Sequence, residues 1–160
     1  MALVTNEARR WAEQAFPPHT VTVSRTDIAR YARAIGETHP IHFDREVAVA
    51  AGHRDVVAPV YFPYTLRVQA TTLAGDLEPD GSSSAEVPPL PARRAMAGET
   101  AIEFGSDICA GDAITIDKRI VDLTEKHGRS GPLALVTTEF TFHNQEGDLV
   151  MRERFTRIYR

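Results

Sequence analysis

Apolar residues recur along this chain with two different periods, and the change from one to the other divides it in half. In residues 26–36, TDIARYARAIG, helical spacing puts Ile28, Tyr31, Ala32 and Ile35 on one face, with Ser24 or Thr26 as caps and Gly36 as a stop. The pattern predicts a short amphipathic helix. Asp44 is placed to cap a second short helix over 45–51, closed by Gly52. From Val60 to Leu73 the sequence VYFPYTLRVQATTL is mostly apolar and reads as a largely buried helix. Pro63 is tolerated only in the first turn of that helix, which sets its start near Tyr61 or Phe62.

Period two takes over in the second half. Segments 100–108, 113–123, 133–143 and 149–159 have strand character, clearest in Val136, Thr138, Phe140, Phe142 and in Val150, Arg152, Arg154 against Met151, Glu153, Phe155. Gly111-Asp112, residues 126–132 and residues 144–148 separate them as turns. An antiparallel meander whose one face is covered by a helix-rich first half is expected, an α+β class. Between the halves, 76–94 (DLEPDGSSSAEVPPLPARR) is dense in Pro, Ser and Gly and predicts a long mobile loop, with pocket cover and partner docking as open roles.

Composition narrows the picture. A chain of 160 residues with 42% apolar content suits one domain, 1–160. Its net charge of -4 leaves no electrostatic footprint for nucleic acid. No apolar run nears the roughly 20 residues that span a bilayer, and MALVTNEARRWAEQAF carries charges where a signal peptide needs an apolar stretch. A cytoplasmic protein without membrane or nucleic-acid partners is expected. Cys109, the single cysteine, reads as core filler. The histidines show no ligand spacing, so no metal is expected, and no Gly-x-Gly-x-x-Gly announces a nucleotide redox cofactor.

The candidate chemistry lies in Gly36-Glu37-Thr38-His39-Pro40-Ile41-His42-Phe43-Asp44. A carboxylate stands five residues ahead of a histidine across a turn stiffened by Pro40. Imidazole titrates near neutrality, and a neighbouring carboxylate can fix its tautomer or share a water with it. Each residue also has a plainer reading: His42 as a loop histidine bonded to backbone, Glu37 as a solvated residue past a helix end, His39 as a surface turn. Arg93 and Arg94 suit phosphate recognition or are ordinary loop charges. Tyr61, Phe62 and Tyr64 line a pocket or fill the core.

The order of helix, GETHPIHFD, short helix, AGHRDVVAPVYF, buried helix and strands with GPLALVTTEFTFHNQEGDLVMRE resembles the MaoC-like hydratases and dehydratases of the hot-dog fold. Within them it looks most like the FAS1-like dehydratase domain, over roughly residues 21–157. The resemblance implies a sheet wrapped around a central α-helix and pairing of subunits, as a homodimer or as a heterodimer with a second hot-dog subunit. It also implies an acyl thioester of coenzyme A or acyl carrier protein entering beside the helix, with no separate cofactor. Catalytic members carry Asp-x-Asn-Pro-Ile-His, which puts the acid/base pair on Glu37 and His42 and the Asn position on His39. The Val60 N–H takes the oxyanion position, where catalytic members commonly have glycine.

By that resemblance His42 removes the α-proton of a 3-hydroxyacyl thioester, and Glu37, its pKa raised by partial burial, protonates the departing hydroxyl; hydration is the reverse. The extra methylene of Glu37 and the side chain of Val60 depart from the catalytic pattern. They keep open a second reading, a noncatalytic acyl-binding subunit of a heterodimeric dehydratase. A hot-dog thioesterase or cyclase on a carrier-bound chain is a third. Thioester cleavage usually takes a carboxylate on the central helix, and residues 61–73 contain none.

Overall fold

The computed structural model describes residues 2–73, 88–92, 94–129 and 131–160. Its elements are α1 (Asn6–Glu13), β1 (His19–Thr22), α2 (Arg25–Ala34), a 3₁₀ turn (Pro40–His42), α3 (Arg45–Ala50), α4 (Pro63–Leu73), β2 (Ala95–Phe104), β3 (Ala113–Gly128), β4 (Gly131–His143) and β5 (Leu149–Tyr159).

The helices begin where side-chain chemistry starts them. Ser24 accepts from the N–H of Asp27 at 3.1 Å while the Asp27 carboxylate accepts from the N–H of Ser24 at 3.2 Å, a reciprocal cap on α2. Asp44 caps α3 by accepting from the N–H of Glu46 at 2.8 Å. Pro63 is the first residue of α4, where its missing N–H costs no helical bond, so the helix starts one or two residues later than the expected Tyr61 or Phe62.

Two elements were not anticipated. The four residues of β1 are too few to show a period; β1 earns its place by pairing with β3, Val21 opposite Ile114. Helix α1 is fixed from a distance, because the Glu125 carboxylate of β3 accepts from the N–H groups of Leu3 at 2.8 Å and Val4 at 3.0 Å.

The sheet has the order β1-β3-β4-β5-β2, antiparallel throughout. Strands β3, β4 and β5 form the expected meander. Strand β2, in contrast, pairs with β5 at the far edge and not with β3, its successor in sequence. It also begins at Ala95, five residues before the expected start at 100. Of the predicted 76–94 loop, residues 76–87 and 93 lie outside the described residues. Of the rest, Leu90 and Ala92 lie against the small cluster of Leu3, Val136 and Tyr159, and the backbone of Arg94 exchanges hydrogen bonds with that of Arg160 at 3.1 and 3.0 Å. The turn expected over 126–132 is instead the end of a long hairpin, with Gly128 opposite Gly131. Its polar residues did not rule out strand, because both faces of that end are open to water.

One face of the sheet holds the core. Phe62 just ahead of α4, Leu66 of α4 and Ile28 of α2 join Ile114, Phe140, Phe142 and Met151 in one cluster, all at most 3% exposed. Fully burying such side chains contributes roughly 1.5–3 kcal/mol each, which makes this layer the main source of stability. Cys109 is buried at its edge, as expected of a small apolar residue. The opposite face is polar; there Glu139 of β4, itself buried, is gripped by Arg119 of β3 and Arg154 of β5, each Nε at 2.7 Å.

Candidate active site

Residues 36–44 leave α2 through Gly36, whose φ of 76° is the left-handed conformation that lets a helix end abruptly. The N–H of Glu37 then reaches back to the carbonyl of Ala32 at 2.8 Å, so the next residues are aimed across the molecule. They meet residues 56–58, which lie between this turn and residues 108–110. The N–H of Val57 donates to the carbonyl of Ile41 at 3.1 Å and the N–H of Ala58 to that of Ile108 at 2.8 Å.

This second strand of contacts fixes His42. Its side chain is buried, 8% exposed, and Nδ1 lies 2.6 Å from the carbonyl oxygen of Val57. A carbonyl can only accept, so Nδ1 carries the hydrogen, and in the neutral ring the lone pair is on Nε2. His42 is therefore presented as a base with a fixed tautomer. The ring of His39 stands edge-on to it, centroids 6.3 Å apart, and the Nδ1 of His39 accepts from the N–H of Ile41 at 3.4 Å.

Glu37 lies close enough for His42 and His39 to act on its charge, but its carboxylate is turned to backbone. Oε1 accepts from the N–H of Thr38 at 2.8 Å and that of His39 at 2.9 Å. Those bonds, aided by the two histidines, hold the carboxyl below its ordinary pKa. This corrects the expectation of a carboxyl raised by burial: Glu37 is ionised near neutrality and holds no proton to donate.

Beyond His42 opens a groove of about 340 Å³ between α2 and the 42–43 turn, with Val56 and Phe43 as apolar wall and Arg25, Arg30 and Arg33 along the α2 side. Arg25 is committed to Asp55, Nε to Oδ1 at 2.8 Å and Nη2 to Oδ2 at 2.6 Å. That pairing, above all, pushes Asp55 down to about 2. Arg33 lies over the Phe43 ring at 5.7 Å. Sequence reasoning passed over these arginines. Their signal was the spacing of 25, 30 and 33 along one helix face, which by itself is indistinguishable from a solvated surface.

The profile of the family described as FAS1-like, dehydratase domain region, matches residues 10–153. The chain belongs to that family. A UPF0336 protein of Clavibacter michiganensis is 34% identical over 140 residues, which take in 86% of this chain and 85% of that protein. A protein of Thermomonospora curvata named probable enoyl-CoA hydratase alpha subunit is 29% identical over 135 residues, 80% of this chain and 42% of the longer protein.

Among solved structures, the HadBC 3R-hydroxyacyl-ACP dehydratase complex from Mycobacterium tuberculosis superposes with a TM-score of 0.67 at 24% identity, covering 90% of this chain and 92% of that one. The R-hydratase PhaJ1 from Pseudomonas aeruginosa gives 0.66 at 17% identity, covering 93% and 84%. At these identities the likeness is one of fold, and the fold is the hot dog with α4 as its filling. The FAS1-like dehydratase family is thus one of hydratase- and dehydratase-like hot-dog proteins.

Around the other residues expected to serve this FAS1-like domain, the geometry divides. Val60 sits in the turn before α4, 67% exposed, and among the described residues nothing accepts from its N–H. It borders a cavity of about 30 Å³, room for one water, shared with Phe104 and Ser106. Tyr61 stacks on Tyr64 with centroids 5.4 Å apart and meets Phe104 edge-on, whereas Phe62 is core, against Tyr31. Arg93 lies outside the described residues. Arg94 is exposed at the far end of β2 from Phe104; ten strand residues put about 30 Å between them. Within one chain, then, Arg94 is not brought to His42 or Val60, and the phosphate role expected of it has no support there.

Proposed function

We propose that this protein adds water to enoyl thioesters, or removes it from 3-hydroxyacyl thioesters, with His42 as its acid/base residue. The observation that carries the reading is the 2.6 Å contact between His42 Nδ1 and the Val57 carbonyl, which leaves Nε2 free as a base beside an open groove. In dehydration Nε2 takes the α-proton and the C–H electrons flow toward the thioester carbonyl. The developing oxygen charge is met by the Val60 N–H in the turn that leads into α4. The bond from C3 to its hydroxyl then breaks, the imidazolium returns its proton to that oxygen, and water leaves. Glu37 stays ionised throughout and stabilises the imidazolium by its charge, in place of the donor role the sequence suggested.

The substrate carrier in this reading is coenzyme A or acyl carrier protein, supported by the family and by the names of its relatives. A second reading is the acyl-binding half of a heterodimer. It is favoured by strand β2, which among the described residues has no partner on its outer side and exposes Met96 at 41% near one end and Phe104 at 47%, next to Val60, at the other. Such an edge favours pairing with another strand. A second copy and a different hot-dog subunit both satisfy it.

Following loss of enoyl-thioester absorbance with the purified protein, alone and in parallel with His42→Ala, separates the two. Turnover that disappears in the variant supports the acid/base role. Folded protein with no turnover on any coenzyme A or carrier-bound enoyl chain supports the acyl-binding reading.

A further inference from the structure

We propose that Asp55 is a positioning residue for His42, acting through the backbone of residues 56–58. The inference rests on the base role proposed above and names what aims that base.

The carbonyl that fixes the His42 tautomer belongs to a segment outside the named helices and strands. Such a segment holds a carbonyl in place only where its own peptide groups are tied. Here they are tied one by one. The N–H of Val57 donates to the Ile41 carbonyl at 3.1 Å, the N–H of Ala58 to the Ile108 carbonyl at 2.8 Å, and the Val56 carbonyl accepts from the N–H of Ala110 at 3.0 Å. The N–H of Val56 goes to a side chain, Asp55, whose Oδ1 accepts from it at 2.7 Å. Val56 is 2% exposed, so water is poorly placed to substitute for that oxygen.

The carboxylate is held in turn by two helices. Arg25 of α2 donates from Nε to Oδ1 at 2.8 Å and from Nη2 to Oδ2 at 2.6 Å, and Arg45 of α3 brings its Nε within 3.4 Å of Oδ2. A guanidinium fork of this kind fixes the plane of the carboxylate it grips. Asp55 thereby joins α2, one wall of the groove, to Val56 on the other. The Val57 carbonyl follows directly and meets Nδ1 of His42 at 2.6 Å. Pushed down to about 2, chiefly by its bond to Arg25, Asp55 stays ionised where imidazole titrates and exchanges no proton with the base. Its part is geometric. Without it the 56–58 segment loses a tie, the carbonyl drifts, and the ring is free to carry its hydrogen on Nε2, where the base needs a lone pair.

The test is ¹⁵N NMR of the intact, histidine-labelled protein above the imidazole pKa of ~6.5, with the His42 signals assigned by their loss in His42→Asn. It compares wild type with Asp55→Ala, Asp55→Asn, Arg25→Met and, as a control on the opposite face of the sheet, Arg119→Ala. Wild type and control should hold the hydrogen on Nδ1, and Asp55→Ala should show a mixture of tautomers. Asp55→Asn keeps an oxygen for the Val56 N–H and should restore the single tautomer. Arg25→Met frees the carboxylate to turn to water and should shift the ring in the same direction as alanine, which keeps the test decisive if Asp55→Ala does not fold. In enoyl-thioester turnover, Asp55→Ala should lose roughly tenfold or more in kcat with KM within about twofold, since a displacement of about 1 Å costs on the order of 10²-fold. Folded Asp55→Ala or Arg25→Met with the hydrogen still wholly on Nδ1, or a control that loses it equally, overturns the proposal. The tautomer is read without substrate, so a shift in Asp55→Ala beside a wild type that turns over nothing sinks the base role and leaves the positioning of the ring in place.

Discussion

Asparagine at position 42 separates two jobs that His42 does at once. The imidazole Nδ1 donates to the Val57 carbonyl at 2.6 Å in a buried setting, Val57 being 4% exposed, while Nε2 supplies the proposed base. His42→Ala removes both. Leaving that carbonyl without its donor costs about 1–3 kcal/mol, and for a chain of this size each kcal/mol moves the melting temperature by roughly 2–4 °C. A fall of about 2–12 °C is expected. His42→Asn places an amide N–H where Nδ1 was, so its stability should stay within about 1 kcal/mol of wild type. It has no base, however, and turnover should fall by about 10²–10⁴-fold, as in alanine. The assay pairs thermal melting with enoyl-thioester absorbance. An asparagine variant that still turns over substrate refutes the base; an alanine variant that melts with wild type refutes the hydrogen bond as a structural tie.

Three further outcomes follow from the packing. Arg67 of α4 lies 3.5 Å from the Glu153 carboxylate, whose side chain is 2% exposed, and over the rings of Tyr64 and Phe140. Arg67→Met should therefore cost about 3–5 kcal/mol in urea unfolding, and Arg67→Met/Glu153→Met should recover most of it, since a buried pair replaced as a pair is often neutral; a double variant as unstable as the single would contradict this. Glu37 has a carboxyl pKa held below its unfolded value by the N–H groups of Thr38 and His39, so its stabilisation is present above ~4.3 and is lost as pH falls through the lower folded value. Glu37→Gln should accordingly melt below wild type at neutral pH and converge with it in acid, and a gap of constant size from pH ~7 to ~3 would rule that out. At Gly105 an added Cβ would run into the Leu149 carbonyl oxygen, so Gly105→Ala should lower the unfolding free energy by about 1–3 kcal/mol or more in urea denaturation, and an unchanged stability would mean that this backbone approach is not needed.

What the sequence determined by itself is what neighbours along the chain decide. The caps at Ser24 and Asp44, the stop at Gly36 and the period-two alternation of β4 and β5 act within a turn or a strand, and they are found where the pattern puts them. So is the closeness of Glu37 to His42, which five residues and a proline-stiffened turn enforce. The tertiary structure decided everything that depends on a partner far along the chain. The tautomer of His42 is set by a carbonyl fifteen residues away, and the N-terminal segment is tied by Glu125, more than a hundred residues on. Strand β2 goes to the far edge because β5 offers the free ladder there, a choice that its own ten residues do not encode. Glu37 was legible as a carboxylate near a histidine, but not as one turned to backbone, because residue type fixes charge and reach while only the folded turn fixes direction. The arginines of α2 looked like solvated surface for the same reason: a groove needs a second wall, and residues 42–43 and 56 supply it only once the chain has folded back.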